Sequence, residues 1–419
     1  MQSPASGVAP KLSICIITYN RAEYLRQTLL SLAWLKNAPF SFEIIISDNC
    51  SSDATATVVS DIAPRLANLR YARQARTVSP EDNVVAAYRM AKGQFAVYLA
   101  DDDALIPEAV GAVIEYLDNN PSVVACHCPW ELWDEASGSS QGLFYRVDET
   151  TKFGTGDMLG LFDFVMQRNI FPEIGIYRVS MLHQILYQPR KAYWAFVFLA
   201  RAIEHGDVAF LPYPFYRSIT KHWEGETREQ HGYLQALSEW DLYRGGIEFL
   251  LQRALRGTGF AEGEQDRYRK AINRFVASRM KVALKLLLAK QDYLGAFDTL
   301  VRLLPWNYLR EEESGRYRKL LPLRAAAQAI VATFDAVTTL RQVGLYRIAD
   351  SEKLVSLLKQ VRKNLPIVSL PDGNPGAATD KDRILVVTRN ATDREDLVQA
   401  GFGTGLIVVE TELLSQFQL

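Results

Sequence analysis

An α/β fold built on a mostly parallel sheet is predicted by three observations. Short apolar, β-branched runs alternate with segments of helical spacing over the first hundred residues. Each of three such runs is followed directly by a polar segment rich in Asp, Asn, Ser or Thr. The chain has 419 residues, 48% hydrophobic and 23% charged, enough for two or three globular domains.

Leu12–Ile17 reads as a buried strand, and Tyr24–Leu35 has helical spacing. Phe42–Ser47 is a second strand. A Ser/Asp-rich loop and a helix from about Ala54 to Ile62 follow, then a short strand at Leu69–Ala72. Glu81–Ala91 is helical, with Gly93 placed to end it. Phe95–Leu99 is the fourth strand. Such alternation implies parallel strands covered by helices on both faces. Ligands in these sheets bind beyond the carboxyl ends of the strands. Thr18–Arg21, Asp48–Asp53 and Asp101–Asp103 each follow a strand, so the three segments are expected to converge on one crevice.

From about Val123 the pattern is mixed, with a strand at Val123–Cys128, aromatic-rich loops and a strand at Val208–Leu211. After Glu226 the chain reads as predominantly helical to about Lys363. Tyr293–Leu304 forms the second half of a helical hairpin ended by Pro305. Pro371–Asp380 is a linker by composition. A compact β-α-β pattern follows: Ile384–Thr388, Asp393–Ala400 and Leu406–Glu410. The expected organisation is an α/β domain at 1–225, a helical domain at 226–370, a linker at 371–380 and a small α/β unit at 381–419. The last is too small to stand alone. It is expected to pack against the rest of the protein or a second copy, which leaves a homodimer open.

Net charge is −1, so nothing global points to nucleic acid. No apolar stretch reaches the roughly 20 residues that span a bilayer. Met1–Pro10 has neither the basic region nor the apolar core of a secretory leader. Four cysteines argue for a reducing compartment, hence a cytoplasmic protein, with peripheral contact at the inner face of the membrane left open. Cys126-His127-Cys128 lacks zinc-site spacing and reads as a buried strand.

Asp101-Asp102-Asp103 is the most informative local feature. At a separation of about 4–5 Å and an effective dielectric of about 20, each carboxylate pair repels by about 3–4 kcal/mol. A hard cation such as Mg²⁺ or Mn²⁺ removes that penalty and fills its remaining positions with substrate phosphates. The alternative is a solvated turn that caps the helix beginning near Pro107.

Lys11-Leu-Ser-Ile-Cys-Ile-Ile-Thr-Tyr-Asn-Arg21 resembles the opening of family-2 glycosyltransferases. Asp48-Asn-Cys-Ser-Ser-Asp53 resembles their second-strand motif, and Ala91–Asp103 their aspartate motif with its lead-in. The resemblance covers about residues 11–225. It implies the Rossmann-like GT-A fold, a nucleotide-sugar donor (UDP- or dTDP-sugar), a divalent metal (Mn²⁺ or Mg²⁺) and inversion at the anomeric carbon. It also implies a hydroxyl acceptor on a glycan, a lipid-linked glycan or a protein, in bacterial surface-glycan or glycoprotein assembly.

The resemblance distributes roles. Asp48 accepts from the imide N–H of the base, its alternative being an Asx-turn. Thr18, Tyr19, Asn20 and Arg21 line base and ribose. Asp53 is mainly a helix cap. Asn83 matches a position near the nucleotide, or is a polar residue at a helix start. Asp103 is the primary metal ligand, Asp101 lies toward ribose and sugar, and Asp102 is grouped with the nucleotide-sugar-binding residues without a defined contact. Tyr216–His222 resembles a region in which histidine completes the metal-diphosphate shell, so His222 is a metal candidate or a structural histidine. The chain departs from the family where an acidic pair normally precedes Arg-x-x-x-x-Gly. Tyr193-Trp-Ala-Phe196 stands there instead. Glu173 is the substitute general base or a structural hydrogen-bonding group, with Glu224 and Glu226 behind it. Trp194 is a sugar platform or core.

Between Arg267 and Lys290 there are eight Lys or Arg and no Asp or Glu. Arg267, Lys270, Arg274, Lys281 and Lys285 share one helical face opposite Ile272, Val276, Met280, Ala283 and Leu287. That face is either simply solvated or an electrostatic contact for an anionic membrane or lipid diphosphate. The missing acidic pair also admits a catalytically weak nucleotide-sugar-binding or scaffold protein. A nucleotidyltransferase would want a Gly-rich phosphate loop that Thr18–Arg21 lacks.

Overall fold

The chain runs β1 (Leu12–Thr18), α1 (Ala22–Ser31), β2 (Phe42–Asp48), α2 (Thr55–Ile62), β3 (Leu69–Arg73), α3 (Pro80–Met90) and β4 (Phe95–Ala100). The computed structural model describes residues 9–185, 189–221, 237, 240–256, 259, 263–377 and 380–419. The helix expected at Tyr24–Leu35 is α1 completed by a 3-10 segment, Leu32–Asn37. Ile14, Ile16, Ile44, Ile46, Val97 and Leu99 are fully buried, as strands covered on both faces require.

Register fixes the crevice. β1 pairs in parallel with β2 and β4, setting Thr18 opposite Asp48 and Ile17 opposite Ala100. The carboxyl ends of the three strands are therefore level, and the loops that follow them meet. Gly93 serves a different purpose from the expected helix stop. A Cβ there would lie 2.7 Å from the Ser13 hydroxyl oxygen and 2.9 Å from the Phe95 carbonyl, so a close approach to β1 demands glycine.

Next come β5 (Ala104–Leu105), α4 (Pro107–Asn119), β6 (Val123–His127), β7 (Glu131–Asp134), β8 (Ser139–Leu143), β9 (Thr151–Phe153), α5 (Met158–Arg168), β10 (Gly175–Arg178), α6 (Val179–Leu182), α7 (Trp194–His205), β11 (Asp207–Phe210) and β12 (Tyr216–Lys221). The first sheet has eight strands in the order β3-β2-β1-β4-β10-β6-β11-β9. Its first four strands are parallel, and β10 runs antiparallel to both neighbours, β4 and β6. That reversal has a consequence for the site. Ile176 pairs with Val97 and Arg178 with Phe95, so the residues just before β10, Glu173 among them, fall at the carboxyl end of β4. A second sheet, β5-β12-β7-β8, carries β12 alongside β5, immediately after the aspartates.

The chain divides into two compact units, Met1–His231 with Glu239–Val276, and Gly232–Ser238 with Ala277–Leu419. α8 (Trp240–Ala254) lies in the first; α9 (Glu264–Ala289) runs through the division. The second unit holds α10 (Tyr293–Leu303), α11 (Glu311–Ala336), β13 (Gln342–Tyr346), α12 (Ser351–Val361), β14 (Ile367–Ser369), β15 (Ile384–Thr388), α13 (Ala391–Gln399), β16 (Ile407–Val409) and α14 (Glu410–Gln416). Its four strands form one parallel sheet, β14-β13-β15-β16. β13 lies where the sequence reads as helical up to about Lys363, and β14 lies in the rest of the helical domain expected at 226–370. Their strand character comes from tertiary pairing: Val343 and Leu345 are buried beside Leu385 and Val387. Gly344 admits the Ile384 side chain, which a Cβ would meet at 2.9 Å. Among the described residues no helix is long and apolar enough to cross a membrane.

Candidate active site

The aspartate triplet begins where β4 ends, and its repulsion is relieved from within the chain. Thr18 Oγ1 donates to Asp101 Oδ2 at 2.7 Å. Arg21 Nε lies 3.2 Å from Asp101 Oδ1, and a terminal guanidinium nitrogen of Arg21 contacts Asp102. The guanidinium also stacks over Tyr24, 4.7 Å from the ring centroid. Asp101 and Asp102 are both buried. Asp101 and Asp102 form a turn after β4, but a buried one that does not cap α4, which begins after Ile106 with no side-chain cap.

Asp103 is held differently. Tyr216 Oη donates to Asp103 Oδ2 and the Ile219 N–H to Oδ1, both at 2.8 Å. The Tyr216 oxygen also accepts from the Ala100 N–H at 3.1 Å, tying β12 to the end of β4. Burial pushes the Asp103 carboxyl up to about 6. The Ile219 and Tyr216 hydrogen bonds oppose that rise, and neighbouring Asp101 adds to it. Among the described residues each Asp103 oxygen accepts one hydrogen bond, which leaves a lone pair on each for a further contact.

The first and second loops are fastened together. Asn20, in the left-handed region at φ 52°, donates its N–H to Ser51 Oγ at 2.9 Å and accepts from the Ser52 N–H at 2.7 Å. Asp53 accepts from Thr55 N–H and from Ala22 N–H, both at 3.0 Å, so it steadies the starts of α2 and α1 together. Asp48 is fully buried. Its Oδ1 accepts from the Ser51 N–H at 2.9 Å and its Oδ2 from the Tyr71 hydroxyl at 2.5 Å. Asn83 is also buried: its amide donates to the Ser47 carbonyl at 2.9 Å and accepts from the Ser47 hydroxyl at 2.7 Å. Tyr19 instead exposes 45% of its surface at the rim.

Glu173 is half-buried, and its carboxyl is pushed up to about 7. Burial is the largest cause. A hydrogen bond from Tyr193 opposes it, and the like charges of Asp103 and Glu81 reinforce it. Glu173 thus shares its electrostatic surroundings with the triplet. Trp194 is core: it is buried and packs edge-on to Tyr98 and Phe198 at 6.3 and 5.3 Å between centroids. His127 is likewise core, stacked on Phe210 at 5.3 Å, its pKa driven down to about 4 by burial. His222, Glu224 and Glu226 lie outside the described residues.

The sequence did not single out Tyr216, Tyr71 or Tyr193 for the contacts they make. Each hydroxyl reaches a carboxylate from another strand or loop, which chain order does not reveal.

A half-parallel α/β sheet with three acidic or polar loops meeting beyond its carboxyl edge defines a Rossmann-like ligand-binding domain. Residues 13–177 match the model of glycosyl transferase family 2. Abequosyltransferase RfbV of Salmonella typhimurium is 32% identical over 117 residues, 27% of this chain and 35% of that protein. The GalNAc(5)-diNAcBac-PP-undecaprenol beta-1,3-glucosyltransferase of Campylobacter jejuni is 31% identical over 121 residues, 28% of this chain and 38% of that protein. The chain therefore spans little more than a third of the length of these relatives. A solved structure of S. aureus TarS 1-349 in complex with UDP-GlcNAc superposes with a TM-score of 0.47 at 16% identity, covering 84% of this chain and 90% of that chain.

Proposed function

We propose that the chain is a metal-dependent, inverting glycosyltransferase that moves a sugar from a UDP- or dTDP-sugar to a hydroxyl acceptor in bacterial surface-glycan or glycoprotein assembly. The observation that carries this reading is the level register of β1, β2 and β4, which brings Thr18–Arg21, Asp48–Asp53 and Asp101–Asp103 to one crevice. Tyr19 offers an exposed ring for the base, and Asp48 a carboxylate for its imide N–H. Thr18, Asn20, Arg21, Asn83, Asp101 and Asp102 shape the nucleotide-sugar wall.

Among the described residues no three ligating side chains gather around a metal position, so a hard divalent cation would take its protein oxygens from Asp103 and the rest from substrate. Asp103 has free lone pairs on an all-oxygen donor, and Mg²⁺ or Mn²⁺ is commonly held by one or two carboxylates completed by substrate phosphates. His222 stands as a second ligand. When bound, the metal supplies Lewis-acid stabilisation of the leaving diphosphate. Tyr216 and the Ile219 N–H keep the Asp103 carboxylate aimed. Glu173 takes the acceptor proton: a carboxyl poised near neutrality is suited to that task.

A thermal-shift panel of UDP, dTDP, GDP and ADP, each with and without Mn²⁺, tests donor and metal together. UDP or dTDP is expected to raise the melting temperature more with Mn²⁺ than without it. A larger shift with a purine nucleotide overturns the pyrimidine assignment. Turnover of the donor, absent from a catalytically weak binding or scaffold protein, separates that reading from this one.

A lipid-linked acceptor would place the protein at the inner face of the cytoplasmic membrane. Support comes from α9, which leaves Lys270, Arg274 and Lys285 exposed while burying Ile272, Val276, Met280, Ala283 and Leu287. Each cation near an anionic surface contributes about 1 kcal/mol. Co-sedimentation with vesicles is expected to rise with their anionic-lipid content and fall with salt. Binding that ignores anionic lipid removes the membrane contact.

A further inference from the structure

We propose that the second unit carries a small-molecule site of its own, a cavity at the carboxyl edge of its parallel sheet that takes an aliphatic zwitterion, an α-amino acid with a branched side chain of about four carbons. Glu410 receives the ammonium and Lys353 the carboxylate.

Three observations carry it. First, chain order in the sheet β14-β13-β15-β16 changes direction between β13 and β15. All four strands are parallel, and ligands of open parallel sheets sit outside the strand carboxyl ends at such a switch point. Second, a cavity of about 100 Å³ lies there. Asp350 comes from the loop after β13, Val387 from near the end of β15 and Glu410 from the residue after β16. Nine of its twelve lining residues are Leu, Ile, Val or Ala and none is aromatic, so the walls suit an aliphatic group. Ala327, Ile330 and Val387 are buried, whereas Leu354, Leu413 and Leu414 are half-buried, so the cavity opens to solvent. Third, the remaining lining residues are charged. Asp350 is engaged as the cap of α12, accepting from the Lys353 N–H at 3.1 Å. Among the described residues the Lys353 ammonium and the Glu410 carboxylate line this one cavity while paired neither with each other nor with any further group.

The chemistry selects the ligand. An apolar cavity of about 150 Å³ admits benzene, so this smaller one suits a branched chain of about four carbons. Two unpaired charges of opposite sign beside an aliphatic cavity are matched by a ligand that carries both, each contact being a charge-assisted hydrogen bond. A nucleotide does not fit. The loop after β13, Arg347–Asp350, contains no glycine to let the backbone approach a phosphate. Its Arg347 already donates to the carboxylates of Asp393 at 3.0 Å and Asp396 at 2.6 Å and to the Asp372 carbonyl at 3.1 Å.

The test is a ligand-observed NMR titration of the full chain with L-leucine, with 4-methylvalerate, which lacks the ammonium, and with isoamylamine, which lacks the carboxylate. Leucine is expected to bind with a Kd of about 1 mM or tighter, and each analogue at least about tenfold more weakly. Glu410→Gln is expected to weaken leucine at least about tenfold and to leave 4-methylvalerate unchanged, since that ligand has no ammonium to lose. Lys353→Met is expected to weaken leucine equally and to leave isoamylamine unchanged. No saturable binding of leucine by the wild type at about 10 mM overturns the proposal. So does an analogue that binds as tightly as leucine, and so does leucine binding that survives both substitutions, which puts the ligand elsewhere. Should either variant fail to fold, the ranking of the three ligands on the wild type decides.

Discussion

Asp103→Asn is expected to lower sugar transfer by about 10²–10³-fold while leaving the fold intact. The rate effect follows from the leaving group. A departing diphosphate develops negative charge, and removing one preorganised stabilising group from such a site costs about 3–4 kcal/mol in the barrier. Fold tolerance follows from the partners of Asp103. An asparagine retains an acceptor for the Ile219 N–H, and its amide can donate to the Tyr216 oxygen in place of the hydrogen bond it loses. Burial already works against a charge at this position, as the carboxyl pushed up to about 6 indicates. A neutral isostere therefore does not raise the desolvation cost. Initial rates of donor turnover alongside calorimetric melting check both halves. Activity within tenfold of wild type means that this carboxylate does not serve the leaving group.

The triplet also shows how far the sequence could be read. Repulsion among three adjacent carboxylates calls for a cation, and the primary structure offers no means of saying which. The fold supplies part of the answer from Arg21, placed by the turn between β1 and α1. The central strands were legible because each is a short apolar run bounded by polar loops, and their parallel pairing follows from the helices between them. Strand β10 was not legible as a strand of this sheet. Its four residues carry no periodicity of their own, and only its neighbours β4 and β6 define it. The same holds for β13, which pairs with a strand about forty positions later in the chain. Local pattern identifies segments that are apolar for their own sake. Segments that become strands by being claimed by others escape it. Asp53 is a mixed case. It stands one residue before the N-cap position, Ala54, and braces the first residue of α2 instead of capping the helix, while its second bond, to the first residue of α1, is a tertiary fact.

Glu173→Gln is expected to cost about 10²–10⁴-fold in transfer rate and to remove the acidic limb of the pH–rate profile. The groups facing Glu173 come from three directions: Tyr193 at the entry to α7, Asp103 beyond β4 and Glu81 in the first turn of α3. Together with burial they push its carboxyl up to about 7. A general base works only when ionised, so kcat/KM of the wild type should fall tenfold per pH unit below about 7. Tyr193→Phe removes the hydrogen bond that favours the ionised form, and the limb should move to higher pH. Stability carries the opposite signature. The folded chain holds this proton up to about 7, whereas the unfolded chain releases it near the ordinary 4.5. Between those values the folded state binds more protons, so stability is lost as pH rises through the window. Glu173→Gln removes that slope and should be the more stable protein at pH 8, by at most about 3 kcal/mol. The two proteins should converge below pH 4.5. A residue that merely packs or hydrogen-bonds would lose stability on substitution at every pH. Greater stability joined to lost turnover is therefore the combination that marks Glu173 as the base, and a variant less stable than wild type at pH 8 that keeps its acidic limb would return the role to another carboxylate.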